Sequence, residues 1–140
     1  MNEAMIALAH RHGEAEMAND LAGTLATLDP DPVFQLLPIG LQFSGMDNVR
    51  RYYEHFLGTV TPRFDMSKMK ARGEWVGPTG LAQEYSLHYR YPDGRERDFV
   101  IEGIIMFGQE RLAGERIYAC DELLRIMFEP VWDVLTPIEF

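Results

Sequence analysis

The sequence GERIYACDELL, residues 114–124, decides the fold of this chain. Ile117 and Ala119 alternate with Tyr118 and Cys120, a period of two that is typical of a strand with both faces covered. Asp121 then stops the strand and is suited to cap the helix that follows. We therefore interpret the stretch as the last strand of a curved sheet, and we expect the face that carries Tyr118 to look into a closed pocket.

Segments with the same period of two precede this stretch. The pattern predicts four strands, at about residues 66–76, 81–91, 98–107 and 112–120. Their connections are short and contain turn residues, such as GPTG at 77–80 and PDG at 92–94. Consecutive strands joined by short turns predict an antiparallel meander.

The two faces of this predicted sheet differ in polarity. In the strands at 81–91 and 98–107 the odd-numbered positions are mostly apolar, and we expect them to face the helices. The even-numbered positions include Glu84, His88 and Glu102. We expect that face to carry cross-strand charge pairs and to meet solvent or a second subunit.

Helical spacing dominates the first 60 residues. Apolar residues recur every three or four positions over about residues 2–28, and the DPDP run at 29–32 ends this helix, because proline disfavours a helical residue before it. Short apolar pieces at 33–37 and 41–44 predict a hairpin. A second helix, with Asp47 as its N-cap, follows at about 46–60.

The C-terminal part is predicted to be a closing helix and an apolar tail, within residues 121–140. Pro130 ends the helix, and the tail would expose a large apolar surface unless it packs on the sheet or on another subunit. A chain of 140 residues has the size of one domain. Residues 1–140 are therefore predicted as a single α+β domain with its helices packed on a strongly curved antiparallel sheet.

Charge and cysteine content exclude several classes of function. The chain has 13 Lys and Arg against 22 Asp and Glu, for a net charge of -9, and it lacks a basic cluster, so we expect no nucleic-acid partner and no binding to a membrane surface. The single cysteine, Cys120, excludes an intramolecular disulfide and a cysteine-ligated zinc site. Because the sequence also lacks a signal peptide and a long apolar run, we expect a soluble cytoplasmic protein.

Three strings carry a resemblance to a known family. They are EAEMANDLAGTLATL at 14–28, SGMDNVRRYYEHF at 44–56 and GERIYACDELLR at 114–125. Together with the order of elements, they resemble the nuclear-transport-factor-2-like superfamily, and within it the SnoaL-like small proteins that include polyketide cyclases, limonene epoxide hydrolase and ketosteroid isomerase. The resemblance covers nearly the whole chain. It implies a cystatin-like, cone-shaped α+β barrel with a deep pocket between sheet and helices, assembled as a homodimer.

The resemblance also indicates where the known enzymes carry their catalytic side chains. The aspartate on the last strand of the cyclases and the epoxide hydrolase falls at Tyr118, and the aspartate on the preceding strand falls at about Ile105. The general base of the isomerase falls at about Leu37, and its first-helix tyrosine falls near His12. Since leucine and isoleucine cannot transfer protons, these replacements favour a pocket more strongly than any particular reaction.

His12 and Glu16 are one helical turn apart and therefore share a face. If that face looks into the pocket, the two form an acid–base pair tuned by burial; if it faces solvent, they are a surface pair. His10 and His12 point in different directions, so we expect no metal site from them.

Several aromatic residues are candidates for the pocket. Tyr118 either donates a hydrogen bond to a ligand carbonyl or is a core tyrosine, and either Tyr52 or Tyr53 borders the pocket. Trp75 is expected in a pocket wall or in a subunit contact. The predicted catalytic residues are His12 and Tyr118, and the predicted ligand-binding residues are Glu16, Leu37, Tyr53, Trp75 and Ile105.

The sequence thus predicts a pocket protein for an apolar or aromatic small molecule, with cofactor-free acid–base chemistry of the isomerase, cyclase or hydrolase kind. A non-catalytic binding protein is the alternative that Leu37 and Ile105 favour, because they stand where the relatives have acids. An interaction module that acts through dimerisation is a third hypothesis, suggested by the apolar tail. We expect neither a metal ion nor a cofactor.

Overall fold

The computed structural model describes residues 2–140, so Met1, the first residue of the predicted domain, lies outside the described part of the chain. Four α-helices pack on a sheet of seven strands. The helices are α1 (Glu3–Met17), α2 (Leu21–Ala26), α3 (Met46–His55) and α4 (Asp121–Phe128). The strands are β1 (Leu28–Leu37), β2 (Leu41–Ser44), β3 (Lys70–Val76), β4 (Gly80–Arg90), β5 (Glu96–Phe107), β6 (Leu112–Tyr118) and β7 (Thr136–Pro137). A π-helical turn at Phe56–Val60 extends α3, and a 3-10 turn at Glu129–Val134 extends α4.

The sheet has the order β3-β4-β5-β6-β1-β2-β7, which leaves it open between β3 and β7. Strands β3 to β6 form the predicted antiparallel meander. The hairpin of β1 and β2 joins it because β1 runs parallel to β6. The predicted α+β class is confirmed, and the sheet is mixed where the sequence predicted an antiparallel one.

The parallel pairing of β1 and β6 depends on Gly114, the first residue of GERIYACDELL. Gly114 pairs with Val33 and adopts a φ of 139°. A Cβ at this position would lie 1.8 Å from the carbonyl oxygen of Val33. Only glycine permits this approach of the two backbones, so a residue within the last strand of the meander also fixes where the N-terminal hairpin joins.

The single helix predicted at 2–28 is wrong, because the chain turns at Asn19 and Asp20. Asn19 has a φ of 56°, a conformation that asparagine tolerates better than most residues. The side chain of Asp20 then accepts a hydrogen bond from the Gly23 amide and caps α2. The DPDP run at 29–32 does not end a helix as predicted, because α2 ends at Ala26 and the run lies within β1.

Two predicted helix caps are also wrong, although both helices begin close to the predicted positions. Gly45 occupies the N-cap of α3 and Cys120 that of α4, and neither makes a side-chain capping bond. Asp47 and Asp121 lie in the first turns of their helices. There a carboxylate still interacts favourably with the positive end of the helix dipole.

The predicted division of the strands into inner and outer positions is confirmed for β4 and β5. Leu81, Leu87, Phe99 and Ile105 are buried against the helices. On the outer face, Arg72 pairs with Glu84 at 2.6 Å, and His88 pairs with Asp98 at 2.7 Å. Exposed apolar side chains lie beside these ion pairs on the same face, namely Trp75, Val100 and Tyr118.

The C-terminal tail packs on its own chain. Strand β7 pairs with β2, and Val131 and Ile138 are buried. Phe140 is 97% exposed and is the exception. None of the helices formed by residues 2–140 combines the length and apolar character that crossing a membrane requires.

Candidate functional site

A cavity of about 320 Å³ lies between the inner face of β4, β5 and β6 and the helices. Most of its wall is apolar, as shown by Met17, Phe56, Met66, Leu87, Ile101 and Met127. One part of the wall is acidic, because Glu16 of α1 and Glu115 of β6 both reach the cavity. An apolar cavity with a few convergent polar groups is the usual form of a small-molecule site.

His12 is fully buried behind this acidic part of the wall. Its Nδ1 lies 2.7 Å from the hydroxyl oxygen of Thr27, and that hydroxyl donates its own hydrogen to the carbonyl of Thr24, also at 2.7 Å. The Thr27 oxygen therefore accepts from His12, which places a proton on Nδ1. The other ring nitrogen, Nε2, is left to interact with the acidic groups.

Three side chains surround Nε2 of His12. Oε1 of Glu16 is at 2.7 Å, the Tyr53 hydroxyl at 2.9 Å and Oε2 of Glu115 at 3.8 Å. Burial alone lowers the pKa of His12, but the two carboxylates outweigh it and raise the pKa to about 10. His12 is thus an imidazolium at neutral pH and donates from Nε2 to Glu16.

Tyr53 joins the second carboxylate to this pair. Its hydroxyl lies 3.1 Å from Oε2 of Glu115 and 3.4 Å from Oε1 of Glu16. Because His12 already donates to Glu16, the Tyr53 hydroxyl donates to Glu115. We refer to His12, Glu16, Tyr53 and Glu115 as the His12 cluster.

Glu16 is the member of the His12 cluster that is best suited to exchange a proton with a bound molecule. Burial raises its pKa above the ordinary value, and the neighbouring His12 only partly opposes this effect. Its side chain retains 24% of its exposure and lines the cavity. A carboxyl group with a raised pKa that faces a cavity has the properties of a general acid or base.

Two further hydroxyl groups line the cavity, those of Tyr52 and Tyr85. Burial, the largest cause for both residues, raises both pKa values, and Glu16 adds to the effect, so both phenols are protonated at neutral pH. Within residues 2–140, no fully buried side-chain nitrogen or oxygen lacks a hydrogen-bond partner. No described residue forms a hydrogen bond with either hydroxyl, so both remain available to donate to a ligand.

The structure brings several of the predicted site residues together. Of the two alternatives for His12 and Glu16, it supports the pair at the pocket and not the surface pair. Ile105 lines the cavity wall. Of the two tyrosines, Tyr52 lines the cavity, whereas Tyr53 is fully buried and reaches the site through its hydroxyl in the His12 cluster.

Three of the residues predicted to line the pocket, Tyr118, Leu37 and Trp75, lie outside it in the structure. Tyr118 and Leu37 are register partners in the pair of β1 and β6, and both lie on the outer face, with Tyr118 40% exposed. Trp75 is 56% exposed on edge strand β3. In β6 the inner positions are Glu115 and Ile117, so strand alternation directs Tyr118 away from the cavity.

Glu115 is the residue that the sequence interpretation missed. The signal was present in GERIY, because Glu115 shares a strand face with the apolar Ile117. A carboxylate on the core side of a strand is unusual and points to a partner or a ligand.

Three side chains of the His12 cluster, those of His12, Glu16 and Glu115, could together hold a metal ion. One ligand atom each from His12, Glu16 and Glu115 lies within 4.8 Å of the others. The hydrogen bonds among these side chains explain their arrangement without an ion.

No family model matches this sequence, and no curated protein matches it either. Solved structures do match its fold. A nuclear-transport-factor-2-like protein of unknown function from Burkholderia pseudomallei superposes with a TM-score of 0.65 at 18% identity, covering 87% of this chain and 95% of that one.

Two further structures with related folds carry functional names. A proposed polyketide cyclase from Xanthomonas campestris pv. campestris has a TM-score of 0.63 and 15% identity, with 88% of this chain and 95% of that chain covered. A proposed isomerase from Bacillus subtilis has a TM-score of 0.65 and 14% identity, with 93% and 97% covered. The chain therefore has the nuclear-transport-factor-2-like fold that its sequence resembles.

Proposed function

We propose that this chain is a cofactor-free enzyme that moves a proton on an apolar small molecule. The observation that carries the proposal is the His12 cluster, which places two carboxylates and an imidazolium at the end of an otherwise apolar cavity. Ionisable groups held in such surroundings are more frequent at catalytic sites than elsewhere.

Glu16 is the proton-transfer group in this proposal. Its carboxylate takes a proton from a carbon next to a substrate carbonyl, and the electron pair of the broken C–H bond moves onto the carbonyl oxygen. Return of the proton to another carbon completes an isomerisation. His12, 2.7 Å away, holds Glu16 in place and offsets its charge before the transfer.

Tyr52 and Tyr85 are the donors that would hold the substrate oxygen. Both residues line the cavity, and both hydroxyls remain protonated because burial and nearby carboxylates raise their pKa values. A donor that is already oriented toward the developing negative charge stabilises the enolate without further rearrangement.

The comparisons support a ligand-binding fold and leave the reaction to be tested. Proteins of this fold include a proposed polyketide cyclase and a proposed isomerase, both under 25% identical to this chain. Because one fold hosts many activities, the assignment of proton transfer rests on the His12 cluster alone.

Deuterium exchange tests the proposal directly. The protein is incubated in D₂O with 4-phenyl-2-butanone, 2-tetralone and tropinone, and NMR follows the loss of the proton signals next to each carbonyl. We expect at least one ketone to exchange faster than in protein-free buffer. In Glu16→Gln the enzymatic rate should fall by roughly 100-fold or more, the contribution expected of a general acid–base group.

Two variants serve as controls for this experiment. Glu102→Gln makes the same chemical change on the outer face, and Tyr118→Phe removes the outward hydroxyl that the sequence favoured; both should exchange at the wild-type rate. Exchange no faster than in buffer for all three ketones would contradict the proposal, as would full activity in Glu16→Gln. Binding of a ketone without exchange would support the non-catalytic alternative instead.

A further inference from the structure

The charges of the His12 cluster do not cancel. Protonated His12 offsets one carboxylate, that of Glu16, with which it makes the shorter contact of 2.7 Å. Glu115 is farther away, with its Oε2 3.8 Å from the same nitrogen, and it also accepts a hydrogen bond from Tyr53. Among residues 2–140, no lysine, arginine or histidine lines the cavity. The carboxylate charge of Glu115 is therefore only partly offset where it borders the cavity.

Half of the Glu115 carboxylate is also free to bind a ligand. Oε2 accepts from Tyr53, whereas Oε1 has no hydrogen-bond donor within residues 2–140. Oε1 points toward Gly103, where a Cβ would lie 3.8 Å from it. The missing side chain at Gly103 leaves open cavity in front of this oxygen, since both residues line the cavity.

The rest of the cavity wall is compatible with a cation that carries apolar groups. Four aromatic side chains line it, namely Tyr52, Phe56, Phe64 and Tyr85. The faces of such rings attract cations, and the rings pack against apolar groups equally well. Arg63 and Arg90 line a second depression that shares Pro62, Phe64 and Met66 with the cavity, but neither arginine lines the cavity itself.

We infer that the ligand of this cavity is an apolar amine, whose ammonium group binds Oε1 of Glu115 while its hydrocarbon part fills the apolar wall. The inference rests on the proposed function for the use of the cavity as a ligand site, and it adds the charge and chemical class of the ligand. In this scheme Glu16 transfers the proton and Glu115 binds the ligand. An anionic ligand is disfavoured, because its charge would be buried beside a carboxylate that His12 only partly compensates.

Three probes with the same hydrocarbon part separate the contribution of charge from that of shape. Isothermal titration calorimetry at pH 7 compares 4-phenylbutylamine, 4-phenyl-1-butanol and 4-phenylbutanoate. We expect the amine to bind ~10- to 100-fold more tightly than the alcohol, as a hydrogen bond between charged groups allows. The carboxylate should not bind measurably.

Variants of the protein then test whether Glu115 causes the preference for the amine. Glu115→Gln keeps the size of the side chain and removes its charge, so the affinity for the amine should fall to about that of the alcohol and the preference for the amine should disappear. Glu102→Gln on the outer face is the matched control and should retain the preference. Gly103→Val places a side chain in front of Glu115 and should abolish binding of both amine and alcohol. Circular dichroism confirms that each variant is folded.

The possible outcomes distinguish this inference from the proposed function. If the wild-type protein binds the alcohol or the carboxylate as tightly as the amine, the inference is overturned and the small-molecule pocket stands. A preference for the amine that survives Glu115→Gln also overturns it, because the charge is then elsewhere. If none of the three probes binds, the inference is overturned, and the ketone exchange experiment decides the proposed function separately. Should Glu115→Gln not fold, the wild-type comparison of the three probes still decides.

Discussion

Ile105 and Glu115 are register partners in the antiparallel pair of β5 and β6, and both side chains face the cavity. The known enzymes that this sequence resembles keep an acid at about the position of Ile105. Here the carboxylate projects from the neighbouring strand, on the same face and directly beside that position. A pocket acid is thus present although the expected strand position is apolar, which removes the main argument for a non-catalytic pocket.

Removing either carboxylate should lower the pKa of His12, and Glu16 should have the larger effect. The two acids jointly raise that pKa to about 10, and the charge of Glu16 is the strongest of the contributions that raise it. NMR titration of the imidazole in Glu16→Gln and Glu115→Gln measures both effects. Glu102→Gln should leave the titration of His12 unchanged, and a pKa of His12 near 6.5 in the wild-type protein would contradict the geometry.

The free energy of unfolding should fall as the pH rises above about 6.5. The pKa of His12 is 6.5 in the unfolded chain and about 10 in the folded one, so the folded state holds an additional proton between these values. The stabilisation is complete below pH 6.5 and is lost as the pH rises through 10. One proton accounts for a slope of at most about 1.4 kcal/mol per pH unit.

Urea denaturation at several pH values between 6 and 10 measures this slope. The raised pKa of Glu16 acts in the same direction, since that group too binds its proton more tightly in the folded state. In His12→Gln the slope over this range should become much shallower. Equal slopes in the two proteins would show that His12 does not hold the proton.

Substitution of Gly114 should be among the most destabilising changes in the chain. Gly114→Ala requires a positive φ in a residue with a Cβ and brings that Cβ into the Val33 carbonyl. We expect a loss of more than about 2 kcal/mol in the free energy of unfolding. Gly13→Ala is the matched control, because Gly13 lies within α1 with no atom near its Cβ position, and it should gain about 0.5–1 kcal/mol. If the denaturation midpoints of the two variants shift in the same direction, this interpretation is contradicted.

The homodimer expected from the resemblance stays a prediction, and we place its interface on the outer face of the sheet. Val100 is 55% exposed there, on the same face of the sheet as the exposed rings of Trp75 and Tyr118. Size-exclusion chromatography with light scattering should show a dimer for the wild-type protein and a monomer for Val100→Lys, which places a charge in the apolar patch. A wild-type monomer, or a dimer that Val100→Lys leaves intact, would rule out this interface.

Much of the fold follows from local patterns. The period of two in residues 81–91 and 98–107 predicts correctly which side chains face the helices, because strand geometry makes alternate residues share a face. The closing helix after the last strand is also predicted correctly, since it spans Asp121–Phe128 and ends before Pro130. The division of the N-terminal helix at Asn19 and Asp20 could also have been predicted from the sequence, since these residue types favour a turn and a helix cap.

The sequence by itself determined the order of elements, the apolar face of the sheet and the pairing of His12 with Glu16 on one helix face. Only the tertiary structure decided which face of β6 looks inward, because alternation groups Glu115 with Ile117 and Tyr118 with Cys120 but does not say which group is buried. In the folded chain Glu115 and Ile117 line the cavity, and Tyr118, which pairs with Leu37 of β1, lies on the opposite face. Glu115 is stable on the inner side because His12 and Tyr53, from distant parts of the chain, supply the charge and the hydrogen bond that a buried carboxylate requires.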